Sequence, residues 1–175
     1  MIGAILDGLR GRRRDEGDQD RLDQLERLAE FHLKSEYRYP RKDLVGLVQC
    51  CRDAGLRVRL HISGTPPELP VTVRDAGHEI LKEALVNVVK HGTGQASVII
   101  TYEERRLAIR VENPVPERRR EARRDRGGLR HMRRCASLVG GTLTAGPGPN
   151  GWQVVATLPI RHSPWRTWTQ TAQAN

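Results

Sequence analysis

Ile80-Leu-Lys-Glu-Ala-Leu-Val-Asn-Val-Val-Lys-His-Gly92 reads as an amphipathic helix with polar residues written into one face. Glu83, Asn87 and His91 recur every four residues and therefore share a stripe. Ile80, Leu81, Ala84, Leu85 and Val88 form an apolar face beside it, and Gly92 follows the pattern as a helix C-cap would. A carboxylate, a carboxamide and an imidazole along one edge of a buried helix pack poorly against hydrocarbon. The same three groups suit a metal-bound phosphate.

Outward from this stretch the chain alternates between the two periodicities. The helix itself is expected from Val71 to His91, after a loop at Gly64-Thr-Pro-Pro-Glu-Leu-Pro70. Before the loop, Leu56-Arg-Val-Arg-Leu-His-Ile62 alternates strictly and predicts a half-buried strand. Leu44, Val45, Leu47, Val48 and Cys51 predict a helix of about 12 residues ending near Ala54-Gly55. On the other side, Ala96–Tyr102 and Leu107–Glu112 predict an antiparallel pair joined by Glu103-Glu-Arg-Arg106. Leu129–Val139 returns to helical spacing, and Thr142–Ala145 with Trp152–Leu158 form a last pair of strands around a turn at Gly146–Gly151. Strands and helices without regular βαβ alternation imply an α+β fold, a two-layer sandwich with a mixed sheet and helices on one face.

The remaining segments are expected to be appendages. Residues 1–17 read as a mobile, charged lead-in, and 161–175 as a loose polar tail. Residues 18–40 hold a helix whose apolar face is Leu22, Leu25, Leu28, Ala29 and Leu33. Too short to be stable alone, it is expected to pack on the domain or on a second copy through residues 18–35.

The length of 175 residues suits one domain, here 41–160, plus these appendages. No apolar run approaches the roughly 20 residues of a membrane span, and the N-terminus lacks the order of a signal peptide. A cytoplasmic protein with no membrane partner is the expectation. Cys50, Cys51 and Cys135 make no disulfide framework and read as buried or half-buried thiols rather than metal ligands. The net charge of +9 is concentrated between Arg105 and Arg134, where twelve arginines face four acidic residues. That run fits a solvated surface, a nucleic-acid patch or a polyphosphate clamp, and arginine-rich composition also fits a GC-rich genome.

In order along the chain, four motifs resemble the ATP-binding domain of the GHKL (Bergerat-fold) superfamily, and more narrowly that of NarL/DesK-type bacterial sensor histidine kinases. They are Ala54-Gly-Leu-Arg-Val, Glu83-Ala-Leu-Val-Asn-Val-Val-Lys-His91 (the N-box), Gly127-Gly-Leu-Arg-His-Met-Arg (the second glycine box) with Leu138-Val-Gly-Gly-Thr-Leu, and Thr157-Leu-Pro159. The resemblance spans about Arg41 to Ile160. It implies ATP and Mg²⁺ as cofactors, Glu83 as general base or water-positioning carboxylate, and Asn87 as the Mg²⁺ ligand. A neutral oxygen suits Mg²⁺, which takes few protein ligands and shares the rest with phosphates and water. The resemblance further implies Lys90 and His91 at phosphate oxygens, and backbone N–H groups of Gly127, Gly128 and Leu129 at the phosphates from a helix N-terminus. The arginines of 117–126 would form a lid.

Three departures limit what carries over. The family's first glycine box, Asp-x-Gly-x-Gly, is replaced by Asn113-Pro-Val-Pro-Glu117. Asn113 retains an oxygen that accepts from the adenine amino group, without a charge to strengthen the bond. Trp152 stands where the family has Thr, and it either stacks near the base or blocks it. Upstream, none of the six histidines lies in the phosphoacceptor context, His32 included. The resemblance, with these departures, therefore implies a histidine-kinase-like protein that transfers a phosphoryl group in trans, with a response regulator or a partner kinase in a two-component system. The alternative is a degenerate regulatory or interaction module with little turnover. Nucleic-acid binding is disfavoured, because the arginine run has no interleaved aromatics for base stacking.

Overall fold

The computed structural model describes residues 43–114 and 126–161, together with Asp23. The expected lead-in at 1–17, the helix at 18–40 with His32 and its dimer surface, the arginine lid at 117–125 and the tail beyond Arg161 lie outside the described residues.

Eight elements follow in the order α1 (Leu44–Asp53), β1 (Arg57–Ser63), α2 (Val71–His91), β2 (Gln95–Glu103), β3 (Arg106–Asn113), α3 (Arg126–Leu138), β4 (Thr142–Gly148) and β5 (Gly151–Pro159). The strands form one five-stranded sheet in the order β1-β2-β3-β5-β4. β1 pairs parallel with β2, and α2 is the crossover that such a parallel pair requires. The other three pairings are antiparallel, so the sheet is mixed and the fold is α+β.

Alternation along the strands sets the two faces. Ala96, Val98, Ile100 and Tyr102 of β2, Leu107, Ile109 and Val111 of β3, and Val154, Ala156 and Leu158 of β5 all point inward and are buried. The helices cover this inner face, and Ile80, Leu81, Ala84, Leu85 and Val88 of α2 are each at most 2% exposed. Gly77 lets α2 come down on β3, since a Cβ there would stand 3.3 Å from both Ile109 Cδ1 and Leu107 Cδ2. A glycine inside a helix costs about 1 kcal/mol relative to alanine, and the close approach is the return on it.

Helix ends follow local chemistry. Asp43 caps α1, its carboxylate accepting from the Val45 and Gly46 amides at 3.2 and 3.0 Å. α3 ends in a Schellman-type turn, in which Gly140 (φ +73) donates to Ser137 O and Gly141 to Ala136 O. Among the described residues, no helix is long and apolar enough to cross a membrane.

Three expected boundaries shift. α3 begins at Arg126, so Gly127 and Gly128 lie within its first turn. The β2–β3 strands run on to pair Glu103 with Arg106, leaving a two-residue turn. β4 and β5 also run on, through Gly146-Pro-Gly, until only Pro149 and Asn150 turn between the paired Gly148 and Gly151. Pro147 is tolerated there because β4 is an edge strand.

Candidate functional site

α2 and α3 pack antiparallel along one seam. Glu79 of α2 lies 4.0 Å from His131 of α3 through Oε2 and Nε2. One turn further along α2, Glu83 lies against Gly128, so closely that a Cβ at 128 would overlap its carboxylate. The next turn of α2, carrying Asn87, therefore projects past the point where α3 begins.

Glu83 is only 8% exposed. A buried carboxylate is costly unless its charge is met, and the N-terminal turn of α3, at the positive end of the helix dipole, is a favourable place for it. Asn87 is partly buried, and its Oδ1 is fully buried with no hydrogen-bond partner. An unmade bond to a buried carbonyl costs about 1–3 kcal/mol, and nothing in the packing of the described residues offsets it at this oxygen. The oxygen fits a single neutral ligand for Mg²⁺, an ion that draws most of its coordination from phosphate and water. Among the described residues, no group of three or more His, Cys, Asp or Glu converges to hold a metal.

Lys90, half-buried, and His91, exposed, occupy the last turn of α2 beyond Asn87. Gly92 closes the helix, but in extended conformation (φ −93) rather than the left-handed one that usually calls for glycine. Its need is for space, because a Cβ there would stand 2.7 Å from Val88 O and 2.8 Å from Asn113 Nδ2. Asn113, the last residue of β3 and 6% exposed, is thereby brought against the end of α2. Trp152 of β5 is its direct cross-strand partner.

The structure thus brings Glu83 together with Gly128, and Asn113 with the turn holding Lys90 and His91. Gly127 is exposed beside Gly128, whereas the Leu129 side chain packs against the hydrophobic core and leaves its backbone as the part that can meet a ligand.

The sequence reading passed over Glu79, although it lies four residues before Glu83 on the same stripe. Its partners come from two helices: Lys82 Nζ at 2.5 Å, His78 Nδ1 at 3.8 Å and His131 at 4.0 Å. His78 and Lys82 together hold the Glu79 carboxyl down to about 2, against burial that pushes it up. At 3.8 Å the His78 contact is electrostatic rather than a hydrogen bond, so Lys82 is the closer hold. Beyond His131, Cys135 Sγ lies 3.6 Å from its Nε2. Burial, followed by the charge of Glu79, raises the Cys135 thiol above its ordinary value. Cys50 and Cys51 are buried free thiols, and burial pushes Cys51 up to about 12.

No family model matches the chain, and no curated protein matches its sequence. Among solved structures it is similar to the histidine kinase domain from the Erythrobacter litoralis EL346 blue-light activated histidine kinase. That match has 18% identity, covers 91% of this chain and 81% of the other, and has a TM-score of 0.48. The Erythrobacter litoralis EL346 kinase matches at 15% identity over 84% of this chain and 55% of its own, at a TM-score of 0.49. The cytoplasmic segment of histidine kinase QseC matches at 16% identity over 67% of this chain and 70% of its own, at a TM-score of 0.45. At such identities and TM-scores the likeness assigns no chemistry, which rests on the residues above.

Proposed function

We propose that this chain is a histidine-kinase-like module that binds Mg–ATP along the α2–α3 seam. The observation that carries the reading is Asn87 Oδ1, buried and unpartnered where α2 passes the start of α3. Asn87 would hold the ion, and the ion, when bound, supplies positive charge that bridges and neutralises phosphate oxygens. Amides of Gly127, Gly128 and Leu129 donate to phosphate from the first turn of α3. Lys90 and His91 add cationic contacts from the end of α2. Glu83, one turn from Asn87, is the group in reach to position an attacking water or to take the proton of the attacking nucleophile. Asn113 accepts from the base at the far end. The γ-phosphoryl group then passes in trans to a response regulator or a partner kinase, its bond to the β-phosphate oxygen breaking to leave ADP, with residues 18–35 as a surface for homodimerisation.

One observation favours a second reading. Glu83 itself seats a buried carboxyl group against the first turn of α3, where a phosphate would go. A protein that keeps this arrangement binds nucleotide as a regulatory module, with little turnover.

Titration of the whole chain with ATP and ADP, with and without Mg²⁺, tests the proposal. Mg²⁺-dependent binding of ATP is the expected result, and failure of both nucleotides to bind contradicts it. Release of phosphate, or its transfer to an added partner, separates the kinase from the regulatory module.

A further inference from the structure

β1 is one edge of the sheet and pairs only with β2, so among the described residues no strand lies on its other side. The backbone groups of a strand alternate between its two edges. Arg57 N donates to Gly94 O on the β2 side at 3.1 Å, whereas Val58 O turns the other way and accepts from Arg52 Nε of α1 at 3.0 Å. Leu60 and Ile62 share the orientation of Val58, so their N–H and C=O groups form the open part of the edge. Arg52 guards only its beginning.

Side chains along this edge sort by chemistry as well. Val58 (7% exposed), Leu60 (partly buried) and Ile62 (38% exposed) lie on the inner face, and their cover thins along the strand. The N-terminus of α1 reaches the same end, where the Asp43 charge adds to burial in raising the Tyr102 phenol of β2. Val45, 39% exposed in the first turn of α1, is a second open apolar side chain at that end. Arg57, Arg59 and His61 leave the outer face, and all three are exposed. A second copy of β1 fits this edge poorly, because antiparallel pairing would set Arg59 and His61 against the same basic groups.

We propose that the free edge of β1 receives an extended acidic segment of a partner protein as an added strand. Carboxylates at alternate positions meet Arg57, Arg59 and His61, and the apolar side chains between them meet Leu60, Ile62 and Val45. Hydrogen bonds to the Leu60 and Ile62 backbone hold the strand, and the side chains choose it. The basic groups that blunt the edge against self-pairing are the ones that select an acidic partner. β1 contributes no residue to the α2–α3 seam, so this surface stands independently of the nucleotide reading.

The probe is a short fluorescein-labelled peptide alternating glutamate and valine, titrated against the full chain by fluorescence anisotropy. The same peptide with lysine for glutamate is the control. The acidic peptide is expected to bind at least about tenfold more tightly than the basic one, a figure within reach of several exposed pairs of modest strength. Its affinity is expected to fall as salt is added. Arg59→Glu leaves Arg57 and the new carboxylate to cancel, and is expected to abolish the preference. Ile62→Pro is expected to weaken the acidic peptide at least about fivefold, since proline deletes an outward N–H and leaves the ladder to β2 intact. Amide exchange followed by NMR needs no variant. Saturating acidic peptide is expected to slow the Leu60 and Ile62 amides and to leave those of Arg59 and His61, which already face β2, as they were. Equal binding of the two peptides, or protection confined to β4 at the opposite edge, overturns the proposal. So does slowing of the Leu60 and Ile62 amides by higher protein concentration alone, which makes a second copy the occupant.

Discussion

The Glu83 carboxyl group rests against the backbone of Gly128, so α2 and α3 meet at a point where one helix supplies a buried acidic side chain and the other supplies no side chain. Two features that look separate in the sequence are one contact. The absence of a Cβ at 128 is what allows the carboxylate to sit at the first turn of α3.

Gly128→Ala should therefore displace the Glu83 carboxylate. In the parent, that displacement opposes the gain of up to about 1 kcal/mol that alanine brings to a helix. In a Glu83→Ala background the obstacle is gone, and the same substitution should stabilise. A double-mutant cycle by chemical denaturation should show a coupling of at least about 0.5 kcal/mol, as for residues in direct contact. An additive cycle would mean that the two positions do not touch.

Glu79 gives the stability of the seam a pH dependence of known sign. Its folded value, about 2, lies below the ordinary carboxylate value of 4.5. The contribution is therefore full above about 4.5 and is lost as pH falls through 2. Thermal unfolding measured from pH 7 down to pH 2 should fall less steeply in Glu79→Gln than in the parent. Parallel curves would show that the pairing with Lys82 and His78 contributes nothing.

The three thiols should differ in reactivity. Cys51 is 3% exposed and its value is pushed to about 12, while Cys50 is 5% exposed and also raised. Cys135 is only partly buried. A chromogenic disulfide reagent at pH 8 should modify Cys135 first, and the adjacent pair only at the rate at which the protein opens. Fast modification of Cys51 in the native state would contradict its place in the core.

Much of this was legible because α2 obeys one rule along its length. Its apolar face and polar stripe need only the helical period, and the expected bounds of Val71 and His91 are those observed. Other features depend on contacts between distant segments. Gly92 reads as a conformational cap, yet its backbone is extended and its requirement comes from Asn113, a residue on another element. Gly146-Pro-Gly reads as turn chemistry, yet it continues β4, because pairing with Gly151–Gln153 outweighs local preference. The Glu79–His131 contact and the Asn113–Trp152 pair appear only once helix docking and strand register are fixed. The arginine run between β3 and α3, the largest charge feature of the sequence, falls mostly outside the described residues.

The most direct test of the central claim is made on Asn87→Ala, by measuring unfolding with and without saturating Mg–ATP. A group kept for a ligand rather than for the fold should cost function without costing stability. The apo variant should be as stable as the parent within about 1 kcal/mol, because the Oδ1 removed makes no bond within the protein. The parent should gain about 2.7 kcal/mol at a ligand concentration 100 times its dissociation constant. The variant should lose between about half and most of that gain, through an affinity reduced roughly 10- to 100-fold, and the loss should be confined to nucleotide with Mg²⁺. A variant that binds Mg–ATP as the parent does would contradict the role given to Asn87, and with it the account of this seam as a Mg–ATP site.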